Sequence, residues 1–556
     1  MPEREKADFF HVGSVSMSGL VCDYLNRRQL CTDEHLRVCP LAQLAPLAKI
    51  ALMPRTPGNP PKPGSTNIDV GRRALLAAAG SALVSRFSFA QDSLGSSKDG
   101  DFERRMQRVA NGLRPAVVFS GEPAMKLADR MNDLHVPGVS IAVIRGGVIQ
   151  ARGFGSAAID GPPVLPETLF QAGSISKPVS AVAALALVQA GKLELDSDVN
   201  LLLKSWKIPA NPFTDKSRVT LRRLLDHSAG ITVSGFPGYA SNAAIPSLVE
   251  VLNGAPPANT ASVVVGREPG TQYEYSGGGY TIMQQLLIDV TGKPFPDLVA
   301  DLVLKPFGMT RSGFFQPLPK QDAPSAATPY QADGAPVPGG AHIYPELAAA
   351  GLWTTATDLA RFALAVRDAW AGRNTSVLSQ ATAAQMLMPG LGDYGLGLIV
   401  RGSQPNRRFL HDGVNDGFVN SMVAFENGDG AVVMTNGARG TDLVFELMHS
   451  IAVEYDWPAG QPRTRQRATI DPRLLDRLVG TYELTPHFLI RISRDNGRLF
   501  AQGTGQERYE IFPESDRAFF FKVVDDVLTF DAESPTAATQ LILHQNGADH
   551  VAKRVQ

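Results

Sequence analysis

Cysteine is nearly missing from this chain of 556 residues: Cys22, Cys31 and Cys39 are the only three. Everything after position 39 therefore has neither a disulfide framework nor a thiol nucleophile. Cys22, Cys31, His35 and Cys39 lack the close paired spacing of a zinc knuckle. Net charge is missing as well. Fifty-three Lys and Arg balance 54 Asp and Glu to leave −1, so no basic field points to nucleic acid and no acidic tail to a basic partner. The ten histidines contain no His-Glu-x-x-His and no pair at helical spacing, so neither a metal nor another cofactor is expected. A Gly-x-x-x-x-Gly-Lys phosphate loop and a Gly-x-Ser-x-Gly nucleophile elbow are both lacking.

What is present describes a globular protein. An apolar content of 44% with 19% charged residues is that of a folded, soluble chain, and the length suffices for two or three domains. Gly71-Arg72-Arg73-Ala74-Leu75-Leu76 opens an apolar run to Val84, and Ser88-Phe89-Ala90 offers a small-residue cleavage site before Gln91. The pattern resembles a twin-arginine export signal. Its apolar run is too short to span a bilayer. Counted from Met53, the signal has an ordinary leading segment. Residues 1–52 are therefore read as an overextended start and 53–90 as the signal. The mature chain is then periplasmic or secreted, with no integral membrane span. If the signal reading fails, the same run is a short helix of a cytoplasmic protein.

Residues 91–120 read as a linker with one short helix. Helical spacing follows over Glu122–Leu134, and Val139–Ile144 with Val148–Phe154 flank a hairpin turn at Arg145-Gly146-Gly147. Helices are predicted after Ser174, at Leu221–His227 capped by Thr220, and at Tyr280–Val290, Thr357–Trp370, Ser379–Met388 and Leu443–Tyr455. Late strands are predicted at Tyr394–Arg401, Phe418–Glu426 and Ala431–Thr435. Strands at both ends with helices between them predict an α/β domain, one sheet assembled from distant segments plus a helical subdomain, over 121–457. Residues 458–470 are rich in Pro, Gly and Arg and read as a second linker. Beyond them, over 471–556, about eight short strands are separated by turn residues such as Asp495-Asn496-Gly497 and Gln545-Asn546-Gly547, the pattern of a small antiparallel β-barrel.

Three motifs carry chemistry. Ser174-Ile175-Ser176-Lys177 precedes the buried run Ala181–Val188, which puts Ser174 and Lys177 on one face of a helix's first turn. A serine needs a base to become a nucleophile, and a desolvated lysine can be that base. Tyr275-Ser276-Gly277-Gly278-Gly279 is a glycine cluster that presents a tyrosine able to move a proton. His411-Asp412-Gly413-Val414 lies between Phe409-Leu410 and a clear strand. There Gly413 lets a substrate lie close to a strand edge, and His411 can donate a hydrogen bond or carry charge.

Ser-x-x-Lys, Tyr-Ser-x and His-x-Gly in this order resemble the serine β-lactamase and penicillin-binding-protein superfamily, in its branch of class C β-lactamases, D,D-carboxypeptidases, D-aminopeptidases and esterases. Leu224–Ile231, Lys305-Pro306-Phe307-Gly308-Met309 and Ala350–Leu359 agree with that likeness over about 121–457. The last segment, with Leu478-Val479-Gly480-Thr481-Tyr482, resembles lipocalin-like domains. The first resemblance implies a β-lactamase-like fold and a cofactor-free serine hydrolase working through an acyl-enzyme on an ester, amide, peptide or β-lactam carbonyl. It implies Ser174 as nucleophile, Lys177 as its activator, Tyr275 as proton shuttle, and His411 where β-lactamases have lysine. It further implies the backbone N–H groups of Ser174 and Val414 as oxyanion hole, with Asp412 and Gly413 along the substrate. His227 is read as a packing residue behind the site. The third position of the tyrosine motif, asparagine in the family, is Gly277 here, which disfavours β-lactam turnover and standard D-Ala-D-Ala recognition. A binding or sensing protein on the same scaffold, acylated without turnover and with a ligand-holding barrel, is the other reading.

Overall fold

The computed structural model describes residues 100–485, 488–531, 537–545 and 548–556. The cysteines, the export signal, the reading of residues 1–52 and the Asn546-Gly547 turn lie outside the described residues. The stretch read as the first linker carries structure from residue 100. Helix α1 (100–110) buries Phe102, Met106 and Val109, and β1 (Val117–Phe119) follows. This is the one short helix expected in that stretch, with its apolar residues on one face. The helix predicted over 122–134 is shorter, α2 (Leu127–Asp133), because Leu113 and Met125 form a β-bridge and Glu122 caps a turn by accepting from the Phe119 N–H.

The predicted hairpin forms as β2 (Gly138–Arg145) and β3 (Val148–Gly155), joined across Gly146-Gly147. Next comes α3 (Ser176–Gln189), whose Val, Ala and Leu side chains are buried on nearly every face, the mark of a central helix. Then follow α4 (Leu221–Leu225), capped by Thr220 as predicted, and α5 (Gly277–Thr291), capped by Ser276. Further on are α6 (Leu347–Ala350) and α7 (Ala356–Trp370). The chain then returns to the sheet with β4 (Ile399–Arg401), β5 (Arg408–Asn415), β6 (Phe418–Phe425) and β7 (Gly430–Thr435), before α8 (Gly440–Glu454). The sheet has six strands in the order β3-β2-β7-β6-β5-β4, all antiparallel. Strands from both ends of the domain thus meet in one sheet, as the sequence pattern implied.

Two strand predictions change. Residues 394–398 turn before β4, with Gly395 N–H bonded to the Leu398 carbonyl. His411-Asp412-Gly413-Val414 lies inside β5, a strand not among those predicted, paired to Met422, Ser421, Asn420 and Val419 of β6. Ladder pairing satisfies its buried backbone in a way that a loop there would not.

The second presumed linker contains β8 (Arg463–Arg465), parallel to β1. After α9 (Pro472–Leu478) come eight strands, β9 (Gly480–Thr485), β10 (Phe488–Asp495), β11 (Arg498–Gly503), β12 (Arg508–Pro513), β13 (Ala518–Phe521), β14 (Val527–Phe530), β15 (Gln540–Gln545) and β16 (Ala548–Arg554). They close as an antiparallel barrel, with β9 meeting β16. Leu475 and Leu478 of α9 join Tyr482, Ile492, Phe519 and Phe530 in one apolar core. The barrel is mounted on β1 and β8. Phe119 packs edge-on against Phe512 and Phe520, Asp525 accepts from Arg463 and Arg465, and Lys522 pairs with Glu122.

One buried ion pair ties α2 to α8. Arg130 grips Glu446 through two hydrogen bonds of 2.7 and 2.8 Å, with the Glu446 side chain only 7% exposed. Breaking such a pair leaves a desolvated cation. Glu446→Ala is expected to cost about 3 kcal/mol, measured as a lower urea midpoint. Arg130→Met/Glu446→Leu should recover most of the loss.

Candidate active site

The site grows from a tight turn. Residues Gly173–Ile175 form a 3-10 turn that runs into α3. Gly173 has φ +56, and a Cβ there would lie 2.5 Å from the Val414 amide nitrogen, so only glycine lets the turn approach β5 this closely. Ser176 Oγ donates to the Gly173 carbonyl and accepts from Leu352 N–H, which pins the turn from inside. Ser174 is left as the half-buried residue of an otherwise buried run.

Lys177, 2% exposed, donates from Nζ to Ser174 Oγ at 3.0 Å and to the Ala349 carbonyl of α6 at 3.0 Å. Burial lowers its pKa to about 7, so near neutral pH much of it is a free amine with a lone pair available to the serine. The predicted Ser174–Lys177 pairing is thus met.

Tyr275 lies on the other side of the lysine, with Nζ 4.9 Å from its ring centroid. Burial raises the Tyr275 pKa, and the hydrogen bond with Ser174 only partly offsets that. Its proton therefore stays on at neutral pH. Behind it, His227 stacks 4.4 Å from the Tyr275 ring and edge-on to Tyr394. Its Nδ1 accepts from Ser276 N–H at 3.1 Å, which places the proton on Nε2. Burial, then the nearby Lys177 charge, holds its pKa well below the usual value. This neutral ring buttresses the start of α5, the packing role read from sequence.

The third motif arrives along a strand edge. The β4 strand pairs with β5 only as far as Leu410, and beyond it the β5 edge meets the Ser174 turn. A Cβ on Gly413 would stand 1.9 Å from the Ala172 carbonyl oxygen, so glycine is required for the contact. Asn415 Nδ2 donates to Gln171 Oε1 and the Ala350 carbonyl, and Asn420 Nδ2 to the Gln171 carbonyl. These amides hold the β5–β6 hairpin to the turn. Val414 stands 37% exposed at this edge.

His411 is engaged differently from the expectation of a donor or cation toward substrate. Nδ1 lies 2.6 Å from the Asp412 carbonyl and Nε2 2.7 Å from Tyr394 Oη. A carbonyl only accepts, so Nδ1 carries the proton and the Tyr394 hydroxyl donates to Nε2. Burial, then the Lys177 charge, lowers its pKa to about 3. The ring is neutral with both nitrogens occupied. Asp412, opposite Ser421, is raised to about 7 by burial, against the pull of the Ser421 hydroxyl and Arg401.

Ser174, Lys177, Tyr275, His411, Asp412, Gly413 and Val414 thus converge from three distant segments. Gly277, at the start of α5, faces Phe236. Sequence reasoning missed Tyr394, the Ala349 carbonyl, Gln171, Asn415, Asn420 and Phe236. Asn415 directly follows the His411-Asp412-Gly413-Val414 motif and could have been singled out there. The others carry no local signal.

The Beta-lactamase family model matches residues 124–453, and a domain of unknown function (DUF3471) matches 464–551. The chain is similar to Penicillin-binding protein 4* of Bacillus subtilis (strain 168), 23% identical over 447 residues that cover 75% of this chain and 95% of that one. It is also similar to Penicillin-binding protein 4 of Amycolatopsis lactamdurans, 28% identical over 378 residues, 63% of this chain and 93% of that one. Among solved structures, the octameric penicillin-binding protein homologue from Pyrococcus abyssi shares the fold. It has a TM-score of 0.53 and 22% identity, covering 77% of this chain and 98% of that chain.

Proposed function

Because the chain belongs to the Beta-lactamase family, a family of serine hydrolases, we propose that it cleaves an ester, amide or lactam carbonyl through an acyl-enzyme on Ser174. One observation carries the reading: a buried amine, Lys177, 3.0 Å from a half-exposed serine hydroxyl, its pKa lowered by burial to about 7. The neutral amine takes the Ser174 proton as Oγ attacks the carbonyl. The oxygen that gains charge lies against the N–H groups of Ser174 and Val414, donors of the kind worth ~3–4 kcal/mol each in the transition state. Tyr275, still protonated, gives its proton to the leaving group and regains one from the Lys177 ammonium. In the second half, water attacks the acyl carbonyl and gives its proton to the same relay, the bond to Oγ breaks, the relay returns the proton to Ser174 Oγ, and the acyl group departs as the acid. Tyr394 and His411 keep the relay's surroundings neutral, so Lys177 has no competing base beside it.

The Gly71-Arg72-Arg73 run supports export of the mature chain. Among the described residues no helix is long and apolar enough to cross a membrane.

The proton step sets a pH dependence. The base must be unprotonated, so kcat/KM for a neutral ester should fall about tenfold per unit as pH drops below about 7 and level off above it. Asp412 also titrates near 7, which makes Asp412→Asn the control: the limb should persist in it. A profile flat from pH 5 to 9 would assign the base elsewhere.

A further inference from the structure

Resting on the acyl-enzyme reading, we propose that Phe236 sets the substrate class. Its ring occupies the volume that a side chain at position 277 would fill, and it selects plain apolar acyl groups over acylamino groups beside the reacting carbonyl.

The geometry is specific. A Cβ on Gly277 would lie 2.9 Å from Phe236 Cε2, 3.3 Å from Cδ2 and 3.2 Å from the Ser234 carbonyl oxygen. Gly277 stands two residues past Tyr275, at the end of α5 that carries the site. Neither wall can easily recede. Ser276 Oγ donates to the Thr232 carbonyl, Gly277 N–H to Ser234 and Gly278 N–H to Val233. Along the chain after Phe236, the Pro237 carbonyl accepts from His342 Nδ1, and Gly238 is closed in by the Tyr344 ring, 2.6 Å from where its Cβ would be. The backbone is therefore tethered on both sides of Phe236, whose side chain is 7% exposed.

The consequence is chemical. Position 277, two residues past the Tyr275 that hydrogen-bonds Ser174, offers no donor or acceptor side chain, and the space its Cβ would enter is already taken by aromatic carbon. Val414, on the β5 edge against the Ser174 turn, adds a 37% exposed aliphatic surface. An amide placed between them loses its water and finds no side-chain partner at position 277, whereas an alkyl chain loses nothing. The expected discrimination is about 10- to 100-fold in kcat/KM, the range for leaving one or two polar groups unpaired.

The test uses the full chain and two p-nitrophenyl esters of similar length, hexanoate and N-acetylglycinate. Intact-mass detection of a fluorophosphonate adduct at Ser174 serves as a check on site assembly in every variant. Wild type should favour hexanoate by tenfold or more. Phe236→Ala should cut that ratio at least tenfold while still taking the adduct, and Phe236→Leu should keep it. Gly277→Asn alone should lose both activities, because the new side chain meets the ring. Phe236→Ala/Gly277→Asn should regain turnover with the preference moved toward N-acetylglycinate. Equal rates on both esters in wild type, or a Phe236→Ala variant that takes the adduct with an unchanged ratio, would overturn the inference and leave the acyl-enzyme intact. A wild-type chain that takes no adduct and cleaves neither ester overturns the acyl-enzyme reading, and this inference with it.

Discussion

Ser174→Ala is expected to lower ester hydrolysis by a factor on the order of 10^4 to 10^6 and to abolish the covalent phosphonate adduct, with little change in stability. The size follows from how little else near the site could attack. Ser176, two residues on, has its hydroxyl committed to the Gly173 carbonyl and the Leu352 N–H, and it is fully buried. Tyr275 keeps its proton because burial raises its pKa. Asp412 is desolvated on the β5–β6 ladder. The small stability effect follows from Lys177, which keeps its bond to the Ala349 carbonyl when the serine oxygen is gone. The measurement is steady-state hydrolysis together with intact mass after phosphonate exposure. An adduct that survives the substitution would remove Ser174 from the mechanism.

Lys177→Met separates catalysis from stability in opposite directions. Loss of the base should reduce acylation by about 10^3- to 10^4-fold. Stability should rise, because an unbranched apolar chain replaces a buried amine whose partners are the Ser174 hydroxyl, the Ala349 carbonyl and the faces of Tyr275 and Tyr280, not a carboxylate. The sign with pH is fixed by linkage. The lysine pKa is about 7 in the folded chain against an ordinary value of 10.5. Between those values the unfolded chain binds more protons than the native one, so wild-type stability rises with pH across the window. The gain from Lys177→Met should therefore be greatest at or below pH 7 and fade as pH approaches 10.5. Thermal melts of the two proteins at pH 6 and 10 measure it. A variant that is less stable at pH 6 would mean that the amine is solvated in the native state.

Much of this was legible from local pattern. The β2–β3 hairpin could be read because two alternating runs flank a Gly-Gly turn. The Thr220 cap and the barrel's short strands could be read because turn and cap chemistry is local. Ser174 and Lys177 could be paired because i and i+3 meet on any helix. The reading weakened where one residue's role depends on another far along the chain. Residues 111–120 and 458–470 look like linkers by composition, yet they contain β1 and β8, which pair with each other across more than three hundred residues. His411 reads as a donor, yet Tyr394, seventeen residues earlier, takes its Nε2.

The sequence by itself determined which side chains are available: a serine with a lysine one turn away, a tyrosine before a glycine cluster, and a glycine-bearing strand. The tertiary structure decided their states. Burial, which no window of sequence reports, brought the lysine down to about 7, held the tyrosine proton in place and neutralised both histidines. Close packing against a distant segment turned Gly277 from a missing contact into a space filled by Phe236. Protonation and shape depend on the density of atoms around a group, and that density is set only when separate stretches of chain pack together.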